Sequence, residues 1–184
     1  ACDGTSAMTE CGAGFYAAAG ARACSACGDD KQYSSSGASS CSTCPPGSYT
    51  SGGDSATHTT CSQCPAGHSC DGSSVQTACV AGMSADVGAS ACSPCLAGTH
   101  SRADQSGCDD CGADNMWSEN EADSCSVCRA GDFTSGGTSA THTSCAECPA
   151  GWACDGTSVK TECGAGFYAA AGSSACSTCG NDKQ

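Results

Sequence analysis

Cys92-Ser-Pro-Cys95-Leu-Ala-Gly-Thr-His100, followed after seven intervening residues by Cys108-Asp-Asp-Cys111, is the stretch whose reading decides the fold. It contains two cysteines separated by two residues, a glycine three positions on, an aromatic or histidine, a polar stretch, and then the next cysteine pair. The glycine permits a tight turn with positive φ, and the ring beside it can lie over a disulfide, a sensible use of scarce apolar area. The module returns as Cys44-Pro-Pro-Gly-Ser-Tyr49 and as Cys128-Arg-Ala-Gly-Asp-Phe133. Eight Cys-x-x-Cys pairs mark its rungs: 24/27, 41/44, 61/64, 92/95, 108/111, 125/128, 145/148 and 176/179.

Longer repeats contain the rungs. Residues 1–32 return at 153–184, and both copies hold Cys-Gly-Ala-Gly-Phe-Tyr-Ala-Ala-Ala-Gly, at 11–20 and 163–172. A second offset of 84 carries Cys61, Cys64, Cys70, Cys79, Cys92 and Cys95 onto Cys145, Cys148, Cys154, Cys163, Cys176 and Cys179. A third of 68 carries Cys2, Cys11, Cys24 and Cys27 onto Cys70, Cys79, Cys92 and Cys95, and 68 plus 84 equals 152. The organisation expected is one repeat half over 1–68 and a second over 69–152 with an extra rung near 108–125. The next 152-residue super-repeat then begins at 153–184. Both ends fall within repeats, so the polypeptide is expected to continue in both directions.

Composition decides what can hold such a chain together. Twenty-two cysteines and 25 glycines stand in 184 residues, against three Phe, four Tyr and two Trp. Too few bulky apolar side chains are present to offset the entropy of ordering the backbone, so covalent or metal cross-links must do so. The net charge of −13, with six Lys and Arg, argues against nucleic acid and against anionic membrane surfaces. No apolar run approaches a membrane span, and the first residues have neither the basic region nor the apolar stretch of a signal peptide. No amphipathic helix is readable.

The simplest cross-linking joins the second cysteine of each pair to the first of the next: Cys27–Cys41, Cys44–Cys61, Cys95–Cys108, Cys111–Cys125 and Cys128–Cys145. Each such loop is worth roughly 3 kcal/mol of chain entropy. The segment holding Cys70 and Cys79 interrupts the scheme. Cys64–Cys70 with Cys79–Cys92, and Cys64–Cys79 with Cys70–Cys92, both remain open, as they do for the copies Cys148, Cys154, Cys163 and Cys176. Near the ends, Cys179 and either Cys2 or Cys11 are expected to lack a partner.

Zinc is the main rival, because the four cysteines of 24–44 and of 108–128 have zinc-ribbon spacing. A continuous ladder, with six further cysteines outside any pair, weighs against isolated groups of four. Eight equivalent pairs also weigh against a single redox-active dithiol. His58, His68, His100 and His142 read as exposed loop histidines with no nucleophile or orienting acid beside them, so no catalytic residue, metal site or cofactor is expected. The acidic groups lack calcium-loop spacing. Serine and threonine make up 46 residues and no Asn-x-Ser/Thr site exists. O-linked glycans are therefore expected on the polar loops, at Thr57, Thr59, Thr60, Thr141, Thr143 and Ser144.

The pattern CxxCPAGxxC…CxxGxY…CxxC resembles the ephrin-receptor-like cysteine-rich repeats, relatives of the tumour-necrosis-factor-receptor modules. Such repeats are abundant in large surface proteins of ciliates and other protists. The resemblance covers essentially the whole chain and implies a disulfide-rich extracellular protein. Gly112-Ala-Asp-Asn-Met-Trp117 departs from it, where x-Ala-Gly is expected.

The fold expected is a small disulfide-rich repeat array: an extended rod of short β-hairpins and turns, with little or no helix and no single hydrophobic core. The function expected is structural and non-enzymatic, as an extracellular or cell-surface fibril, filament or matrix whose partner is itself. A receptor or adhesin ectodomain is the alternative from another class, with its ligand site at the 108–125 insertion around Met116 and Trp117. An immobilisation-type surface antigen coat is a third.

Overall fold

A computed structural model of the chain describes residues 9–180. It contains twenty short strands and no helix, and consecutive strands pair into ten separate two-stranded antiparallel sheets. Phe15–Tyr16 pairs with Ser25–Ala26, Gln32–Tyr33 with Ser42–Thr43, Ser48–Ser51 with Thr60–Gln63, and His68–Ser69 with Thr77–Ala78. Met83–Ser84 and Ser93–Pro94 form the fifth hairpin. Then Thr99–Ser101 pairs with Cys108–Asp110, Met116–Trp117 with Ser126–Val127, Asp132–Ser135 with Ser144–Glu147, Trp152–Cys154 with Lys160–Glu162, and Phe167–Tyr168 with Ser177–Thr178. The described residues group into two compact units. One runs to Cys79 and includes Ala85–Ser93; the other comprises Val80–Ser84 and the residues from Pro94.

Two-residue strands cannot sustain themselves in water, and a cystine joins the two arms of every hairpin except His68–Ala78 and Trp152–Glu162, which cystines flank on either side. Ten disulfides are formed: Cys11–Cys24, Cys27–Cys41, Cys44–Cys61, Cys64–Cys70, Cys79–Cys92, Cys95–Cys108, Cys111–Cys125, Cys128–Cys145, Cys148–Cys154 and Cys163–Cys176. Of the two pairings open for Cys64, Cys70, Cys79 and Cys92, the structure has 64–70 with 79–92, and the copies follow. The zinc-ribbon cysteines Cys24, Cys27, Cys41 and Cys44 are spread over three disulfides, so they do not converge on one point. Cys179 is exposed and unpaired among the described residues, Cys11 is bonded to Cys24, and Cys2 lies outside the described residues.

A backbone hydrogen bond accompanies each cystine. In rung after rung the amide of the cysteine that ends the hairpin donates to the turn residue before the first strand. Examples are Cys27 to Gly14 (3.2 Å), Cys64 to Gly47 (3.0 Å), Cys95 to Gly82 (2.9 Å) and Cys148 to Gly131 (2.9 Å). The turn glycine's own amide reaches the following rung, as in Gly14 to the Ser34 carbonyl (2.9 Å) and Gly98 to the Ser118 carbonyl (3.0 Å). A loop amide further along donates back to a cysteine carbonyl: Gly37 to Cys11, Gly88 to Cys64, Glu121 to Cys95 and Gly172 to Cys148, each at 2.8 Å. The array is therefore stitched mainly by main chain and sulfur, which is why so permissive a sequence can build it.

At Gly98 the glycine is obligatory. Its φ is +87°, and a Cβ there would collide with the Thr141 carbonyl. Glu121 is the converse case, since it takes φ +62° where Gly37, Gly88 and Gly172 take positive φ at the matching loop position.

Burial follows the cross-links. The buried apolar side chains are ten cysteines together with Ala85 and Ala169, while Phe15, Leu96, Val127, Phe167 and Tyr168 are exposed. The buried remainder is small and polar: Ser34, Thr50, His58, Ser73, Ser101, Ser118, Thr134 and His142. No single hydrophobic core exists among the described residues. Their buried side-chain polar atoms all have hydrogen-bond partners, as groups removed from water require.

Candidate functional site

Most rungs use Cys-x-Ala/Pro-Gly to make the first turn, but two do not. At Cys27-Gly-Asp-Asp-Lys31 and Cys111-Gly-Ala-Asp-Asn115 the glycine moves forward, to Gly28 (φ +77°) and Gly112 (φ +81°). The extra residue is an aspartate. Lys31 and Asn115 then accept the hairpin-closing amide, from Cys44 at 2.8 Å and Cys128 at 2.7 Å. These two rungs precede the two hairpins whose cystines enclose the longest spans, a separation of 17, and which carry Ser-Ala-Thr-His-Thr at 55–59 and 139–143.

The long loop folds back onto the departing rung. Gly28 donates its amide to the Ala56 carbonyl (2.9 Å) and Ser34 to the His58 carbonyl (3.1 Å). The Thr50 hydroxyl donates to the Asp30 carbonyl. The His58 ring is then 5% exposed, with Nε2 2.9 Å from Asp30 Oδ1 and Nδ1 3.1 Å from the Gly52 carbonyl. Asp30 is held from a third direction by the Ser74 amide (3.0 Å to Oδ2) and the Ser74 hydroxyl (2.9 Å to Oδ1). The second unit holds the same arrangement. His142, 4% exposed, lies 2.8 Å from Asp114 Oδ1 and 3.0 Å from the Gly136 carbonyl, and Ser158 binds Asp114 as Ser74 binds Asp30.

The expectation of exposed loop histidines is therefore corrected at His58 and His142, and so is the expectation that they lack partners. A sequence window around each histidine misses the partners because Asp30 lies 28 residues before His58 and 44 before Ser74. A signal was available in the internal repeat. Gly28-Asp-Asp-Lys-Gln-Tyr-Ser34 and Gly112-Ala-Asp-Asn-Met-Trp-Ser118 agree only at the glycine, the second acid and the serine. Those are the residues that touch the loop or the neighbouring rung. The Ser34 and Ser118 hydroxyls donate to the Phe15 and Thr99 carbonyls at 3.0 and 2.8 Å.

The electrostatics follow from these contacts. The His58 hydrogen bond, then the Ser74 amide, hold the Asp30 carboxyl below the usual carboxylate range; His142 and the Ser158 amide do the same for Asp114. Asp71 is held far below that range by the Ser73 hydroxyl and by Lys31, whose ammonium lies 2.9 Å away. Serine, histidine and aspartate meet here, but not as a nucleophile device. Ser74 donates to the aspartate instead of facing the imidazole, and both ring nitrogens are occupied.

The other sequence candidates are placed as follows. His68 is half-buried, with Nδ1 3.2 Å from the Ala66 carbonyl. His100 is half-buried with Nδ1 3.4 Å from Cys125 Sγ, and it groups with Cys111 and Cys125, whose sulfurs form one disulfide. Thr60 is exposed, whereas Thr57, Thr59, Thr141, Thr143 and Ser144 are half-buried. Thr57 Oγ1 donates to Asp54 (2.8 Å), Thr141 Oγ1 bonds to Thr138, and Ser144 pairs with Ser135 (2.8 Å). Met116 and Trp117 form a strand in the departing rung. A shallow polar groove of about 340 Å3, lined by Ser69, Asp71, Ser73, Val75, Thr77 and Ser90, has a counterpart of about 380 Å3 at 153–176. No helix of the described residues is long and apolar enough to cross a membrane.

No protein-family model matches the chain, and no curated protein matches it in sequence. The geometry makes it a cysteine-rich protein of repeated, disulfide-closed hairpins. So dense a set of cystines is typical of chains that work in an oxidising, extracellular or secretory environment.

Proposed function

We propose that the chain is a structural element of an extracellular or cell-surface fibril, filament or matrix, built from repeats that associate with further copies of themselves. The observation that carries this reading is repetition of detail. The same three-way tie between aspartate, histidine and serine recurs 84 residues apart with matching distances, and so does the shallow groove beside it, at Asp71 and at Asp155. A surface that presents the same groove in successive repeats suits linear assembly, in which each unit meets its neighbour through like contacts. A net charge of −13 keeps such chains hydrated and apart until specific contacts form. The resemblance to ephrin-receptor-like repeats of protist surface proteins supports the extracellular setting. In this reading the chain performs no catalysis and holds no cofactor, and glycans sit on the loop hydroxyls, with exposed Thr60 the most accessible acceptor.

Electron microscopy of native, non-reduced material tests the reading. Filaments or sheets with an axial repeat support it. Dispersed single chains that bind one other protein saturably overturn it in favour of a receptor or adhesin ectodomain.

A further inference from the structure

The two buried imidazoles have an unusual hydrogen-bonding problem. A neutral imidazole has one N–H and one bare nitrogen, so it donates once and accepts once. At His58 both nitrogens face oxygens with no hydrogen to give: the Gly52 carbonyl at 3.1 Å and Asp30 Oδ1 at 2.9 Å. At His142 the partners are the Gly136 carbonyl at 3.0 Å and Asp114 Oδ1 at 2.8 Å. A protonated carboxyl could in principle supply the missing hydrogen, but both oxygens of each aspartate are already taken. Asp30 accepts from the Ser74 amide at Oδ2 and from the Ser74 hydroxyl at Oδ1, and Asp114 accepts from Ser158 in the same way. That environment is one for a carboxylate.

We propose that His58 and His142 are carried as imidazolium in the folded chain, and that each is a proton-held latch fastening its long loop to the departing rung. Only the doubly protonated ring donates to both oxygens. Removing the proton points a nitrogen lone pair at an oxygen lone pair about 3 Å away, on a ring that is itself buried. The loop then loses its side-chain anchor, and the Gly28–Ala56 and Ser34–His58 backbone bonds, or Gly112–Ala140 and Ser118–His142, are left to hold it.

The charged surroundings differ between the copies. Around His58 stand Asp30 on the departing rung and Asp54 in the loop itself, with the Lys31–Asp71 ion pair beside Asp30. Around His142 stand Asp114 and, next to it, Asp155; Thr138 replaces Asp54 and Asn115 replaces Lys31. Both sites keep the carboxylate that faces the ring, so the latch does not depend on the variable neighbours.

Imidazole nitrogen NMR on the intact, disulfide-bonded chain, followed from about pH 5 to about pH 9, reads the charge state directly. The expected result is two N–H nitrogens on His58 and on His142 at neutral pH. Amide exchange at Gly28 and Gly112 should lose about tenfold or more of its protection, beyond the intrinsic pH effect, as the second proton leaves. In His58→Gln the Gly28 amide should lose that added pH dependence while Gly112 keeps it, so each copy serves as the other's control. Asp30→Asn, which keeps the shape but not the charge, should likewise weaken protection at Gly28 alone. The proposal is overturned if either ring has a bare nitrogen at neutral pH while its loop stays protected. It is overturned equally if Gly28 protection is unchanged across ring deprotonation.

Discussion

The hairpin closed by Cys95–Cys108 and the one closed by Cys44–Cys61 share a cystine, an antiparallel ladder and a positive-φ turn glycine, Gly98 or Gly47, yet their loops are secured by different side chains. The turn that leads into the first is a backbone device: Gly98 takes positive φ, donates to the Ser118 carbonyl, and packs against the Thr141 carbonyl with no room for a side chain. The second has a longer loop, and it is held through side chains: Thr50 and His58 on the hairpin, Asp30 before it and Ser74 after it. In the short rung the loop is tied by Arg102, which donates to Asp109 Oδ1 at 2.9 and 2.7 Å. The long rung needs particular polar residues at Asp30, Thr50, His58 and Ser74.

The largest test of that contrast removes the bond the two rungs share. Replacing both Cys44 and Cys61 by Ser is expected to cost about 3 kcal/mol, and the Cys95/Cys108 pair the same within about half a kcal/mol, because their loops differ little in length (separations 17 and 13). Denaturant unfolding of the otherwise oxidised chain measures both. A much smaller cost at Cys44/Cys61 breaks the comparison, since the side-chain latch would then hold the loop unaided.

Next in size is the glycine. Gly98→Ala should cost about 2–3 kcal/mol from the left-handed backbone and the clash at Thr141. In the departing rung Asn115 takes over as acceptor of the hairpin-closing amide, yet it does not have positive φ, so Asn115→Ala should stay within about 0.5 kcal/mol. Equal costs at the two positions would show that the turns are not different devices.

Acid gives a further separation. Asp30 and Asp114 titrate below the ordinary carboxylate range in the folded chain, chiefly through the histidine hydrogen bonds. A depressed folded value means that the contribution is present above the unfolded carboxylate pKa and is lost as pH falls through the folded one. Amide exchange at Gly28 and Gly112 should therefore accelerate in strong acid, before that at Gly98. Simultaneous loss at all three would assign the acid response to the whole array.

The smallest effect has the opposite sign. Glu121→Gly should stabilise by about 0.5 kcal/mol, as relief of a left-handed non-glycine residue outweighs the added chain entropy. A thermal melt detects it, and a destabilised variant would mean that the Glu121 side chain has a role that its exposed position does not suggest.

Much of this architecture is legible in the spacing of Cys-x-x-Cys and glycine, because hairpin, cystine and turn are all local and repeat every rung. The choice at Cys64, Cys70, Cys79 and Cys92 is not, since both pairings close short loops and only the folded positions of Cys70 and Cys79 distinguish them. Burial of His58 and His142 is hidden for another reason. It depends on contacts across 28 and 44 residues, and the residues that make them look like ordinary surface acids and serines in a chain rich in both.

The order of the disulfides also sets how the chain behaves under tension. Residues enclosed by a cystine cannot be drawn out by pulling, and within a Cys-x-x-Cys only two residues lie outside a loop. Between Cys70 and Cys79, and again between Cys154 and Cys163, eight residues are free of any cystine, enough to extend by roughly 3.5 Å each. Those are the segments that Ser74 and Ser158 pin to Asp30 and Asp114. A pulled strand of this protein would lengthen there first, in small steps of fixed size, and would then stop until a reductant cut the sulfur bridges.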